Sequence, residues 1–301
     1  MKPILSIVIP SYNTCELTLN CIKSIYQDKG LKDIPFEIIV VDNNSHDDSV
    51  KELKNLGSKI ILIANKDNGG FGKANNQGFI IAKGNYILLL NSDTIILHSA
   101  ISQALDWLCS HPEASTCTAQ LLNKDKTIQA SGGFFPSLAN VITWSLSLDD
   151  LPFVNKIIKP LHPHTPQFYT HDKFFLPDHQ QDWVTGAFML TRKPLLDSVH
   201  GFDESYFMYG EEVELAYRIS KSTKNNQVWY LVGPQIIHLG GASATSRLDP
   251  ILNEYRGILS FFKKHRPIWQ YSVVKFLLKI NALIRAIIHF SPVYLQACSK
   301  I

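Results

Sequence analysis

Cysteine is scarce: the 301 residues hold five, and no two of them form a C-x-x-C pair. Cys15, Cys21, Cys109, Cys117 and Cys298 leave one over in any pairing, which excludes a disulfide framework and a cysteine zinc site as organising devices. No uncharged apolar run reaches the roughly eighteen residues that a spanning helix needs. The opening "MKPILSIVIPSYN" has one lysine and an apolar stretch closed by Pro10, with no small-residue cleavage site, so a cytoplasmic start is expected. Acid is missing from one region above all, because nothing after Glu254 is Asp or Glu. Arg256, Lys263, Lys264, Arg266, Lys275, Lys279, Arg285 and Lys300 then give the tail +8, against −5 for the rest of a chain whose net charge is +3. Dinucleotide and P-loop patterns are also absent. In "DNGGFGKANNQG", Gly70-Phe71-Gly72 meets Asn75 where G-x-G-x-x-G needs glycine, and Gly72-Lys73 lacks the following Ser or Thr. Hydride transfer is therefore disfavoured.

What is present is a globular composition, 45% hydrophobic and 18% charged, enough for one large α/β domain or two smaller ones. "ILSIVIPSYN" and "PFEIIVVDNNS" are β-branched apolar runs that end in polar residues, as buried parallel strands do. Between them Leu17, Cys21, Ile22 and Ile25 repeat on one helical face, after Thr14 as a cap. "KIILIAN" and "NYILLLNSD" supply two further strands, with a helix between them that ends near Gly84. Ligands in open α/β sheets sit beyond the carboxyl ends of the strands. Ser11, Tyr12, Asn13, Asp42, Asn43, Asn65 and Asp93 are therefore expected around one crevice, although turn chemistry alone accounts for each singly. In "NYILLLNSDTIIL" a carboxylate interrupts an apolar run, which is costly unless it meets water or a partner. Residues 151–181 lose all periodicity and are expected to be a long surface loop; its histidines, His162, His164, His171 and His179, lack helical metal-ligand spacing.

"SIVIPSYN", "VVDNNSHDDS", "NGGFGKANNQG", "YILLLNSDT", "VTGAFMLTRK", "GFDESYFMYGEEVELAYR" and "IIHLGGAS" occur in the order and approximate spacing of family 2 glycosyltransferases. The subgroup they resemble is the rhamnosyltransferase-like enzymes of cell-surface polysaccharide assembly. The resemblance implies a GT-A fold, a mostly parallel central α/β sheet flanked by helices, over about residues 1–245. Residues 1–98 would bind the nucleotide sugar and 99–245 the acceptor. It further implies that Asp42 hydrogen-bonds the nucleotide base, with Pro10, Tyr12 and Asn13 as pocket wall, and that Asn68, Gly70, Phe71, Lys73 and Asn76 line the donor. Asn91, Ser92 and Asp93 match the metal-binding D-x-D position with the first acid replaced. Asp93 would face Mg²⁺ or Mn²⁺, and His238 matches a histidine that adds a ligand.

An octahedral cation that bridges a diphosphate takes most of its oxygens from phosphate and water, so one carboxylate can suffice. Imidazole suits Mn²⁺ better than Mg²⁺. The family's acidic pair appears here as Glu211-Glu212, with Glu212 matching the general base; Glu in place of Asp leaves the choice between the two open. Trp183, Thr185 and Gly186 match the acceptor wall. The activity implied is inverting, metal-dependent transfer of a sugar, rhamnose being one candidate, from a dTDP- or UDP-linked donor to a glycan or lipid-linked acceptor. The alternative is a catalytically inactive nucleotide-sugar or glycan-binding protein of the same fold.

Residues 246–301 are expected to form a basic, amphipathic helical region. On a helix from Trp269 to His289, Lys275, Lys279, Arg285 and His289 fall within an arc of about 120°, opposite Val273, Phe276, Leu277, Ile280, Leu283 and Ile287. Such a helix either lies on a membrane, with peripheral contact through 263–289 at the inner face of the plasma membrane, or packs on the domain or an oligomer partner. The tail's aromatics fit no nucleic-acid module.

Overall fold

A computed structural model describes residues 2–149, 151, 153–167, 173–222, 226–240 and 246–301. His171 and the last three residues of "IIHLGGAS" lie outside the described residues, as does the 245/246 boundary on its N-terminal side. In chain order the elements are β1 (Leu5–Ser11), α1 (Cys15–Tyr26), β2 (Phe36–Asp42), α2 (Ser49–Asn55), β3 (Ile61–Ala64), α3 (Phe71–Ile81) and β4 (Tyr86–Leu90). There follow β5 (Thr94–Ile96), α4 (Ala100–Ser110), β6 (Ala114–Leu122), β7 (Ile128–Gln129), α5 (Leu138–Ser145), α6 (Val154–Ile157), β8 (His179–Gln181), β9 (Phe188–Arg192) and α7 (Lys193–Ser198). The chain closes with α8 (Glu211–Ser222), β10 (Gln227–His238), α9 (Leu248–His265), α10 (Ile268–Ile288) and α11 (Pro292–Lys300).

One sheet runs β3-β2-β1-β4-β9-β6-β10-β5, with β7 beside β6 and β8 beside β10. The first four strands are mutually parallel, and β6 and β10 are parallel to each other. Antiparallel β9 joins the two groups. Both faces of the central strands are covered, which is why "SIVI" and "IIVV" read as unbroken apolar runs rather than alternating ones. Ile7, Ile9, Ile38 and Val40 pack towards α1 and α4, whereas Val8, Ile39 and Val41 pack towards α3 and α8. Pro10 is tolerated because β4 pairs with β1 only as far as Val8, so no neighbour on that side needs the missing N–H. Thr14 stands at the N-cap of α1, but its side chain makes no capping hydrogen bond; its hydroxyl joins those of Ser11, Thr18 and Ser92 instead.

The segment expected to be a surface loop is anchored instead. It contributes α6 and β8, and it buries Leu161 and Phe175, the latter against Tyr230. His179 stacks on Tyr230, and His162 pairs with Glu254 of α9 at 3.0 Å. These contacts are long-range, so local periodicity carries no trace of them.

The tail is helical throughout its described length. α9, α10 and α11 share a third core cluster with α5, built on Trp144, Tyr255, Phe261, Phe262, Val274 and Leu278. Here the helical-wheel expectation needs correction: α10 turns Val274, Leu278, Asn281 and Ala282 inward, while Arg285, placed on the polar arc, lies over the Trp144 ring. Of the expected apolar arc, Leu277 is buried, whereas Val273, Phe276, Leu283 and Ile287 are exposed. Among the described residues no helix is long and apolar enough to cross a membrane.

Candidate active site

Beyond the carboxyl ends of β1, β2 and β4 lies a cavity of about 960 Å³. Of the residues matched by motif, Pro10, Tyr12, Asn68, Gly70, Phe71, Asn91, Ser92, Asp93, Trp183, Thr185, Glu211, Glu212 and His238 line it. Asn13, Asp42, Lys73, Asn76 and Gly186 do not, and each has an identifiable occupation.

Asp42 is fully buried beneath the wall. One carboxylate oxygen accepts the Ser45 N–H at 3.0 Å, and Oδ2 has no protein partner, which is unusual for a buried carboxylate. Asn13, in a left-handed conformation, closes a turn against Ser45 and His46. Lys73 is half-buried and pairs loosely with Asp67 at 3.8 Å. The Asn76 carboxamide bonds both backbone groups of Phe202 and reaches Glu204, fastening α3 to the loop before α8.

The Gly-rich loop is held open by its backbone. Asn68 Oδ1 accepts the Gly70 N–H at 3.0 Å, Asn43 donates to the Gly70 carbonyl, and the Phe71 N–H donates to the Phe207 carbonyl. Gly70 has φ +87°, and a Cβ there would sit 2.4 Å from the Phe207 oxygen, so only glycine lets the loop start α3 in this way. Asn65 shares its amide with Asn43 and Gln77 rather than facing the cavity.

Two clusters of charge-bearing groups face the same space. In the first, His238 Nε2 lies 3.4 Å from Asp93 Oδ1 and 3.1 Å from the Asn91 amide nitrogen, while its Nδ1 lies 2.6 Å from Gln129 Oε1. A hydrogen on Nδ1, donated to Gln129 Oε1, leaves the Nε2 lone pair to accept from the Asn91 amide on the side where Asp93 stands. This is the orientation in which a histidine ligates a cation, with its other nitrogen held from behind. The 3.4 Å gap is close to the roughly 3 Å between neighbouring ligands of an octahedral cation with bonds of about 2.1 Å. Among the described residues no group of three acidic, His or Cys side chains gathers at any point, so such a cation would draw its remaining ligands from phosphate and water. Asp93 and His238 fit that role.

In the second cluster, Glu211 and Glu212 begin α8, where the helix dipole favours acid. Glu212 keeps partial access to the cavity and its Oε1 accepts the Gly186 N–H at 3.0 Å. Glu211 is 2% exposed and its Oε2 has no partner. Burial pushes the Glu211 carboxyl well above the ordinary glutamate range, and the neighbouring Glu212 charge adds to the effect. Burial also raises Glu212, against the opposing hydrogen bond from Gly186. Glu214 serves structure: Arg218, one helical turn on, and His265 hold it. A Cβ on Gly186 would meet the Phe71 ring at 2.4 Å, so Gly186 sets the spacing between the Gly-rich loop and Glu212.

The cavity is completed by parts to which the motifs assign no role. Asn253, Glu254, Gly257 and Phe261 of α9 line it, with His162 and the Phe207–Tyr209 turn. Trp183 lines the same cavity with its Nε1 donating to the Phe134 carbonyl, and Thr185 bonds Ser131. Gln129 is equally unmarked, because it comes from a two-residue strand whose pairing with β6 brings it under His238. One sequence signal does point to α9: a glycine inside a helix costs about 1 kcal/mol relative to alanine and signals close backbone approach. Gly257 makes that approach, since a Cβ on it would lie 2.5 Å from the Tyr209 carbonyl oxygen.

Comparison with known proteins agrees with this architecture. The Glycosyl transferase family 2 profile matches residues 6–195. Rhamnosyltransferase WbbL of Escherichia coli is 27% identical over 216 residues, covering 60% of this chain and 76% of that protein. The N-acetylglucosaminyl-diphospho-decaprenol L-rhamnosyltransferase of Mycobacterium tuberculosis is 23% identical over 203 residues, and the match spans 62% of each chain, less than two thirds of that relative's length. Among solved structures, the mannosyltransferase PcManGT from Pyrobaculum calidifontis, in complex with GDP-Man and Mn²⁺, superposes with a TM-score of 0.55 at 15% identity, covering 99% of this chain and 74% of the other. The chain belongs to glycosyl transferase family 2, and its fold is GT-A.

Proposed function

We propose that the chain is a metal-dependent, inverting glycosyltransferase that moves a sugar, with rhamnose the first candidate, from a dTDP- or UDP-linked donor to a hydroxyl of a surface glycan or a lipid-linked acceptor. The observation that carries this reading is that one cavity of about 960 Å³ is lined both by the Asp93–His238 pair and by the Glu211–Glu212 pair. Displacement at an anomeric carbon needs charge compensation where the diphosphate leaves and a proton acceptor where the hydroxyl attacks. Mg²⁺ or Mn²⁺ held by Asp93 and His238 would supply the first.

Glu212 is assigned as the base: it reaches the cavity, and the Gly186 N–H both orients it and favours its ionised form. Glu211, more deeply buried and with its carboxyl pushed up by that burial, is assigned to hydrogen-bond the substrate rather than to take its proton. The acceptor oxygen passes its proton to Glu212 as the new bond to the anomeric carbon forms and the bond to the diphosphate breaks, which inverts that carbon. The space between Trp183 and α9 is assigned to the acceptor. Both the Escherichia coli and Mycobacterium tuberculosis relatives are named as rhamnosyltransferases, which supports the candidate sugar.

The test is nucleoside diphosphate release from a panel of nucleotide sugars with Mn²⁺ or Mg²⁺, with and without EDTA. Wild type is expected to turn over one donor in a metal-dependent way. Asp93→Ala and Glu212→Gln should each lose at least about a hundredfold, in line with what positioned acid–base groups contribute. Tight donor binding with no release under any acceptor would instead favour a binding protein.

A further inference from the structure

α10 has two apolar faces, and only one of them is used. Val274, Leu278 and Ala282 are completely buried in the tail bundle. On the other side, Trp269, Val273, Phe276, Leu283 and Ile287 form a stripe at helical spacing that no described residue covers: Trp269 is 58% exposed, Phe276 64% and Ile287 71%. At 1.5 Å per residue this stripe runs about 27 Å. Exposing it to water is unfavourable, and contiguous apolar surface of this kind marks an interaction site.

We propose that this face of α10 lies in the surface of an anionic lipid bilayer. The choice of occupant rests on charge. Lys275 and Lys279 flank one side of the stripe and make no ion pair among the described residues, Lys263 is exposed just before it, and no acidic residue follows Glu254 in the chain. A second copy of the chain would bring two such acid-free flanks together, whereas anionic headgroups neutralise them. The helix is too charged to span and has the composition of one that lies in the interface, with a tryptophan at one end and lysines along the polar edge. α9 gives this contact a consequence for the site. The same helix lines the acceptor end of the cavity through Asn253, Gly257 and Phe261 and packs on α10 in one cluster. Docking through α10 would tether the chain to the bilayer that carries a lipid-linked acceptor, a consequence that rests on the function proposed above.

The test uses the full chain, without donor or metal, so that its outcome is independent of the proposed activity. Co-sedimentation is measured with vesicles of phosphatidylcholine alone and of phosphatidylcholine with one third phosphatidylglycerol, and the oligomeric state is measured by light scattering. Wild type is expected to partition to the anionic vesicles and to release as salt rises. Phe276→Ser with Ile287→Ser should abolish binding without lowering the melting temperature, since both side chains are exposed. Lys275→Gln with Lys279→Gln should weaken it by roughly 25-fold, about fivefold per lysine. Absence of wild-type binding to anionic vesicles would overturn the proposal. So would a wild-type dimer that the Phe276 and Ile287 changes dissociate, because the face would then belong to a second copy.

Discussion

Replacing Gly257 with alanine tests whether α9 is a working part of the active site. The substitution should help the helix, by about 1 kcal/mol of intrinsic propensity. It also drives a methyl to 2.5 Å from the Tyr209 carbonyl oxygen, about 0.9 Å inside the 3.4 Å at which ordinary contact begins. α9 is fixed by Tyr255, Phe261 and Phe262, all of which are buried in the third cluster, so it has little room to retreat. The element that gives way is the Tyr209–Gly210 turn, both of whose residues have positive φ, and Glu211 and Glu212 follow it directly. A displacement approaching 1 Å at a catalytic carboxylate costs on the order of a hundredfold in rate. Overpacking costs typically 1–3 kcal/mol, so after the helix gain a net loss of about 0–2 kcal/mol remains, or a few degrees in melting temperature.

The assay is the rate of nucleoside diphosphate release at saturating donor, alongside donor affinity by calorimetry. The expected result is kcat lower by about 10- to 100-fold with donor affinity unchanged within about twofold. Gly233→Ala, where a Cβ meets nothing within 4 Å, is the control and should keep full rate. A Gly257→Ala protein with wild-type kcat and a raised melting temperature would show that the turn does not transmit the shift, and the assignment of α9 to the site would fail.

Three further predictions bear on neighbouring groups. Burial and the Glu212 charge raise the Glu211 pKa, so between the ordinary glutamate range and that raised value the native state holds a proton that the unfolded chain has released. Stability is then fullest below the ordinary range and declines as pH climbs through the raised value; Glu211→Gln should increase the melting temperature more at pH 8 than at pH 5, and an equal gain at both would refute the shift. Gln129→Leu removes the acceptor behind His238 and should weaken Mn²⁺ activation about 10- to 100-fold while leaving metal-free donor binding intact; unchanged Mn²⁺ titration would mean Gln129 does not set the imidazole. Asn76→Ala loses both bonds to the Phe202 backbone, which at about 1 kcal/mol each lowers stability by roughly 2 kcal/mol with donor affinity retained; a selective loss of donor affinity would instead return Asn76 to the donor wall.

The parallel half of the fold is legible in the sequence because its strands are buried on both faces and its ligand-bearing residues follow them immediately. Ser11, Asn43 and Asp93 need only the end of a strand to be located, and the sheet then brings them together. The Glu211–Glu212 pair is legible for a similar local reason, as acid at a helix start. What is not legible depends on pairings distant in the chain. Gln129 reaches His238 across 109 positions, and His162 and Glu254 meet from segments with no common period. Asn76 shows the converse case, a residue in the expected segment whose amide is occupied 126 positions away.

The tail carries the same distinction further. A helical wheel reports how apolar residues are arranged about α10, but it cannot say which of two apolar arcs meets the bundle. Burial of Val274, Leu278 and Ala282, with Arg285 over Trp144, is decided by the shape of α5 and α9. Once those take one face, no described residue covers Phe276 and Ile287. The outward stripe and the α9 wall of the cavity thus have a common origin, since the packing that seats α9 against the Tyr209 turn is also the packing that turns the second face of α10 outward. A substitution that loosens α9 should therefore disturb the α9 wall of the cavity and the orientation of the stripe together, whereas one on the stripe itself should leave the site intact.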